Sequence, residues 1–360
     1  MSSCRRNAVA IGAVALAVLA VTAGCSGGGK KKVAQTITPT AATTAAATSP
    51  AKATTTPTPA RPTRAAPPPV NPLTGGKPVS GPLIAVKIDD TRPGRPQLNI
   101  DQADVVYVEE VEGGLDRLIG LFDTHKPLVG YVRSIRLSDP ELLLQYGRIT
   151  LAASGGSGPS LRVLAKSKLP SWLDDRNGEY FRRAPHAGDH GYINLTLALA
   201  KLSKAVKTAP ARAGGFVWNA TPAGIRALPR ATTITTRVGR QVVQFVYDAT
   251  TRRYTRVIGG VRQRAADGKL VTTPNVIVQE CTVTSTSARD VNGNPQQFTH
   301  SIGTGAAHVF RNGREYSGSW SRKSVTAPTV FRDTKGAQIT LNPGGVWIAL
   351  TRPKVRISIR

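Results

Sequence analysis

Arg133-Ser134-Ile135-Arg136 is the segment of this chain best suited to chemistry. It closes the apolar run Leu128–Val132 and leads into Ser138-Asp139-Pro140-Glu141. That tetrad marks a helix start: an N-cap residue, an early proline and an acidic first turn. If the segment turns, Arg133 and Arg136 lie on one side; if it stays extended, they diverge. Two guanidiniums beside helix-start amides form a fork for a phosphate or carboxylate, which an ammonium does not match. With Ser134 they make the first candidate ligand site. The structural alternative is that both arginines bridge strand and helix through Asp139 or Glu141.

Glu109, Glu110 and Glu112 supply carboxylates nearby in sequence. On a strand, Glu110 and Glu112 share a face while Glu109 points to the other. Gly113-Gly114 follows as a turn, so Glu112 sits at a strand end with Arg117 just across a hairpin. Glu112 is therefore a candidate general acid/base or ligand carboxylate, with Arg117 fixing it or holding an anion. The alternative is a Glu–Arg pair that only sets the turn. An enzyme would combine Glu112 with Asp89 or His186, since paired carboxylates divide acid and base roles in glycan cleavage.

Ser154-Gly155-Gly156-Ser157-Gly158 joins the strand Ile149–Ala153 to a helix beginning near Pro159; it reads first as a simple tight turn, and alternatively as a loop that brings backbone amides towards an anion. It lacks the Lys-Ser/Thr of a phosphate-binding loop and the spacing of a dinucleotide fingerprint, so no cofactor is implied. His186, Asp189 and His190 form a local cluster with metal-ligand chemistry, and Asp89 or Asp90 offers further oxygens. Pro185-His186-Ala187-Gly188 reads as a loop rather than a helix face, however, and no metal is assigned. His186 stands instead as a catalytic or ligand-orienting candidate, because a histidine in a Pro/Gly loop is exposed and adaptable. No nucleophile elbow followed by an Asp and His series is found.

Two kinds of unit must position these residues. From Asn71-Pro72-Leu73-Thr74-Gly75 to about residue 213, strand-length apolar runs (Leu83–Ile88, Val105–Val111, Leu118–Phe122, Ile149–Ala153) mix with helical stretches. The helices are expected over Glu141–Tyr146, Ser160–Ala165 and Leu195–Ala205. From Gly214 to Arg360 the chain is rich in Thr, Val, Arg and Gly, with strands over Val242–Val246, Tyr254–Ile258, Val276–Val283, His308–Phe310 and Val346–Leu350. Asn292-Gly293 and Asn312-Gly313 suit tight turns between them. The fold class is thus a mixed α/β (α+β) unit over 71–213 followed by a mostly β unit over 214–360.

The amino terminus gives the address. Arg5 and Arg6 precede an apolar run from Ala8 to Val21, too short for a permanent span but suited to a secretory signal. Thr22-Ala23-Gly24-Cys25 is similar to a lipobox, which makes Cys25 the lipidated residue of a mature, membrane-anchored chain. Residues 26–70 are Thr-, Ala- and Pro-rich, with no acidic residue, and read as a disordered tether. Forty-five residues reach roughly 140 Å if polyproline-like and about 40 Å as a flexible coil. Only Cys281 is left for the folded part, so no disulfide framework exists there, and that thiol reads as a small buried hydrophobe.

The net charge of +27 is uneven. Residues 71–213 hold 19 basic and 15 acidic side chains, whereas residues 214–360 hold 21 and 6. The second half attracts polyanions by its long-range field, or else carries a solvated basic face. Outside the cell those partners are anionic wall polymers, peptidoglycan carboxylates and lipid headgroups rather than nucleic acid.

Several blocks together resemble a known family. Asn71-Pro72-Leu73-Thr74-Gly75, Ala85-Val86-Lys87-Ile88-Asp89, Arg95-Pro96-Gln97 and Ala103-Asp104-Val105-Val106-Tyr107-Val108-Glu109 resemble the opening of the YerB-like bacterial lipoproteins. Glu112-Gly113-Gly114-Leu115-Asp116-Arg117, Val132-Arg133-Ser134-Ile135-Arg136, Pro185-His186 and the later Gly313, Gly318, Trp320 and Trp347 extend the likeness. Asp116 departs from it, standing where a threonine is expected. The resemblance implies a two-part extracytoplasmic lipoprotein of a family without an established activity. Two functions follow from the residues: a tethered binding module for an anionic ligand or wall polymer, and a wall-glycan hydrolase or transferase.

Overall fold

The computed structural model describes residues 69–360, apart from 148, 175, 184–190, 203–213 and 291. The signal-like segment, Cys25, nearly all of the tether, and His186 with Asp189 and His190 lie outside the described residues.

The first half folds as a mixture of strands and helices. Its strands are β1 (Ile84–Asp89), β2 (Val105–Glu110), β3 (Asp116–Phe122), β4 (Leu128–Val132), β5 (Thr150–Ala153), β6 (Ser171–Leu173), β7 (Phe181–Arg183) and β8 (Gly191–Asn194). Helices α1 (Asp139–Leu143), α2 (Gly158–Ser167) and α3 (Leu195–Ala200) lie between or after them. The second half is β-structure apart from a 3-10 turn at Ile225–Ala227. It comprises β9 (Thr233–Val238), β10 (Gln241–Asp248), β11 (Arg253–Ile258), β12 (Val261–Arg262), β13 (Thr272–Thr273), β14 (Asn275–Glu280) and β15 (Val283–Arg289). Then follow β16 (Pro295–Thr299), β17 (Gly303–Arg311), β18 (Arg314–Arg322), β19 (Val330–Asp333), β20 (Val346–Thr351) and β21 (Ser358–Ile359).

The halves share one sheet. Its order is β19-β18-β17-β14-β20-β2-β3-β1-β4-β8-β7, and β20 lies parallel between β14 and β2. A smaller sheet, β12-β11-β10-β9-β21 with β13 on β11, is hydrogen-bonded separately from the large one, and β15–β16 forms a two-stranded sheet of its own. The large sheet also forks. β5 runs parallel to β1 along Ile84–Val86, whereas β4 meets β1 only at Ile88↔Val132. Beyond that point the chain crosses from β1 to the end of β5, with the Arg133 amide on the Lys87 carbonyl and the Ile135 amide on that of Gly155.

Alternation assigns the faces, since residues directly opposed in antiparallel strands project together. Ala85, Lys87 and Asp89 of β1 share a face with Arg117 and Ile119 of β3 and with Tyr107 and Glu109 of β2. Leu142, Leu143, Tyr146 and Leu164, from α1, the turn after it and α2, cover that face. The other face, with Val86, Ile88, Val108 and Leu118, packs on Ile234, Val243 and Phe245 of the smaller sheet.

Some local expectations shift. Ser138 does not cap α1; its backbone is helical and its hydroxyl is unpaired, while the Asp139 carboxylate takes the Arg136 amide at 2.9 Å. The Leu195 helix ends at Ala200. β14 stops at Glu280, and Cys281 follows it fully buried, with burial pushing its thiol up to about 12. Asn312-Gly313 is the expected tight turn, both residues having positive φ.

A charged seam joins the two sheets. Arg256 of β11 donates to both oxygens of Asp90, at 2.9 Å from Nη1 to Oδ1, and lies 5.1 Å over the Trp347 ring. Asp116 is buried beside this pair; burial first, then the Asp90 carboxylate, pushes its carboxyl up to about 8. The folded chain therefore holds a proton that the unfolded chain releases between pH 3.8 and about 8. Stability is expected to fall as pH rises through that window, because the native state binds more protons there. Asp116→Asn should flatten the fall, read from urea midpoints near pH 5 and pH 8; an unchanged slope would contradict this protonation.

Candidate functional site

The sheet fork opens into a pocket of about 260 Å³. Glu112, Arg117, Arg133, Ser134 and Arg136 all line it, so five residues singled out from the sequence meet at one place. Gly156 and Ser157 of the glycine loop form a second wall. Asp290, Asn292 and Gln296, from the β15–β16 hairpin, form a third.

Glu112 enters this pocket through a turn that needs its glycines. Gly113 and Gly114 have φ of 69° and 71°, a region that side chains with a Cβ disfavour. The turn is docked by the second half of the chain: the Arg240 amide donates to the Gly114 carbonyl at 2.8 Å and its Nη2 to the Gly113 carbonyl at 3.0 Å. Glu110 and Glu112 do not share a face, because β2 ends at Glu110 and the chain turns. Glu110 pairs instead with Arg352 through two hydrogen bonds, of 2.7 and 2.9 Å.

Both oxygens of Glu112 are occupied. Arg136 takes them as a fork, Nε to Oε2 and Nη2 to Oε1, and Arg117 Nη2 adds a bond of 3.2 Å to Oε1. The Nη1 groups of the two arginines go to backbone carbonyls: Arg117 Nη1 to Ser134 at 3.0 Å, Arg136 Nη1 to Ile135 at 2.9 Å. Burial pulls both guanidiniums down to about 10, which leaves them charged at neutral pH. The Glu112–Arg117 pairing is thus the turn-setting contact, extended by Arg136.

Behind these lies a network whose central residue, Lys87, the sequence analysis did not single out. Lys87 is fully buried and donates to Glu109 and, at 2.9 Å, to Asp139 Oδ1. Its signal was present: a lysine inside the apolar run of β1 needs buried carboxylates around it. Asp89 is also fully buried; its carboxylate accepts from the Thr91 amide and hydroxyl, both at 2.9 Å, and lies 3.7 Å from Arg133 Nε.

Arg133 differs from its neighbours. Its side chain is 33% exposed, and among the described residues its guanidinium has only a loose contact to Asp89 and makes no hydrogen bond. It faces the pocket less committed than Arg117 and Arg136. Opposite, Ser157 caps α2 by accepting from the Ser160 amide at 3.3 Å, and Gln296 Nε2 donates to the same hydroxyl at 2.8 Å. Gln296 Oε1 accepts from Ser160 at 3.0 Å, which pins the hairpin over the pocket. Asp290 holds its own turn, accepting from the Asn292 and Asn294 amides at 2.9 and 2.8 Å. Among the described residues, no three His, Cys, Asp or Glu side chains converge as a metal site.

Comparisons with known proteins agree with the two-part layout. Residues 73–212 match the N-terminal domain, and 233–348 the C-terminal domain, of a protein of unknown function (DUF3048). The crystal structure of the YerB protein from Bacillus subtilis is similar in fold, with a TM-score of 0.68 and 21% identity, covering 81% of this chain and 100% of that one. A search of the curated proteins found no match.

Removing Arg136 would leave Glu112 buried with Arg117 on one oxygen and nothing on the other among the described residues, whereas Arg133 is not needed to neutralise it. Arg136→Ala should therefore cost about 3–5 kcal/mol, and Arg133→Ala about 1 kcal/mol or less, measured by urea unfolding. Equal losses would contradict the division of labour between the two arginines.

Proposed function

Because this chain belongs to the YerB-like two-part family, whose domains have no established activity, we propose its function from the pocket: it binds an anionic group of a cell-envelope ligand at Arg133. The observation that carries the proposal is the inequality among the arginines. Arg117 and Arg136 are spent on Glu112, while Arg133, whose guanidinium has no hydrogen bond among the described residues, faces a pocket with hydroxyls on Ser134 and Ser157. A guanidinium with free donors suits a carboxylate or phosphate oxygen pair.

In this reading Cys25 carries a lipid that holds the chain on the outer face of the cell membrane, and the tether carries the folded part into the wall. The basic second half, with 21 basic and 6 acidic side chains, concentrates it on anionic wall polymers by its field. A hydrolase would need Glu112 to exchange protons with a substrate, yet each of its oxygens already accepts from a guanidinium. Asp89, its proposed partner, is engaged with Thr91 and faces Arg133. The binding role asks no such release.

The test is retention of the full chain on purified cell-wall sacculi, with and without their anionic polymers, while released fragments are followed by mass spectrometry. The proposal expects retention that weakens steeply with salt, drops at least tenfold in Arg133→Gln on sacculi stripped of their anionic polymers, and releases no fragments. Retention on stripped sacculi unchanged by Arg133→Gln would sink the proposed site. Fragments that disappear in Glu112→Gln would replace binding by catalysis.

A further inference from the structure

A second pocket, of about 310 Å³, shares no lining residue with the first. Arg252, Arg253, Pro274, Asn312, Asn342 and Pro343 are among its walls, and no acidic residue lines it. Arg252 is exposed, and its Nη2 reaches Asn312 Oδ1 at 3.3 Å. Arg253 is half-buried; Nε and Nη2 are bound to Thr272 at 2.8 and 3.0 Å, and Nη1 has no hydrogen bond among the described residues. Arg311 stands behind them, fully buried and held by Thr340, Asn219 and Asn342 through Nη1 and Nη2, with only Nε unpartnered among the described residues.

None of these three guanidiniums forms an ion pair with a carboxylate among the described residues. The carboxylate nearest in register, Asp248 opposite Arg253, is turned onto the Thr250 amide at 2.8 Å. Burial, opposed by Tyr316 and helped by the charge of Arg252, lowers the Arg311 guanidinium to about 10. In the Glu112 pocket Arg117 and Arg136 are matched by a carboxylate; here none of the three guanidiniums is, among the described residues. Arg252 and Asn312 both hold positive φ, 55° and 52°, each in the turn of a hairpin, and both line the opening. For arginine that backbone is costly.

We propose that this pocket is a second anion site, which takes the phosphodiester group of an envelope polymer between Arg252 and Arg253; Asn312 and Asn342, bonded to each other at 2.8 and 3.4 Å, form its wall. A phosphodiester fits because it carries one charge and accepts from several directions. The same group occurs in a lipid headgroup, so the experiment separates the two sources.

Binding of the full chain to poly(glycerol phosphate) and to glycerophosphoglycerol, a soluble headgroup, would be measured by calorimetry at equal phosphate. Wild type and Arg133→Gln should bind the polymer alike, while Arg252→Gln should lose about tenfold and show a shallower dependence on salt. Arg252 is exposed, so this variant should keep the wild-type melting temperature; Arg252→Gln/Arg253→Gln should lose more. Polymer binding tighter than headgroup binding supports a wall source, and equal binding per phosphate supports the site with lipid as its source. No binding by wild type would overturn the site. So would binding lost in Arg133→Gln, or binding kept in the folded double variant.

Discussion

A carboxylate taken out of water must meet a cation, and this constraint organises the end of the large sheet. Asp89, Glu109, Glu112 and Asp139 are all buried there, and Lys87, Arg117, Arg133 and Arg136 meet them. Removing one member of such a set leaves a charge whose desolvation is uncompensated, which costs more than the pair itself contributes. Strand alternation alone places Lys87, Asp89, Glu109 and Arg117 on a common face. The ions then fix what the sheet does not: the glycine turn that carries Glu112, the crossing segment that carries Arg133 and Arg136, and the start of α1 at Asp139.

The pocket is a consequence of how the sheet divides. Where β4 and β5 separate along β1, backbone turns away from the strands, and side chains from several segments converge in the gap. The second half of the chain completes the enclosure. Arg240 holds the Glu112 turn from one side, Gln296 pins the hairpin to α2 on another, and Arg352 ties Glu110 to Gln297. Charge balance is nearly complete at the centre and loosens outward, and Arg133 is where it is loosest. A ligand there need not break the ion pairs that stabilise the fold.

Much of this was legible locally. Apolar runs located most of the principal strands to within a few residues, and Asn312-Gly313 announced its turn. Arg133, Arg136, Glu112 and Arg117 were readable as partners because guanidiniums and carboxylates at strand ends seek each other. The side on which Glu112 projects was not, since it depends on β2 ending at Glu110 so that Arg352 can claim that residue. Asp290 and Gln296 were equally hidden: nothing near residue 290 in the sequence reports that its hairpin closes over residue 133. The insertion of β20 between β2 and β14 also pairs segments some 240 residues apart, and short-range pattern carries no trace of it.

The central claim is that Glu112 is a fixed structural anion and Arg133 the available cation. Side-chain NMR of the arginine Nε–H groups during titration with inorganic phosphate tests it most directly. The account predicts that the Arg133 signal moves while those of Arg117 and Arg136 stay in place, whatever Arg252 and Arg253 do. Movement of Arg117 and Arg136, with Arg133 unchanged, would mean that the ligand displaces Glu112 and would contradict the account.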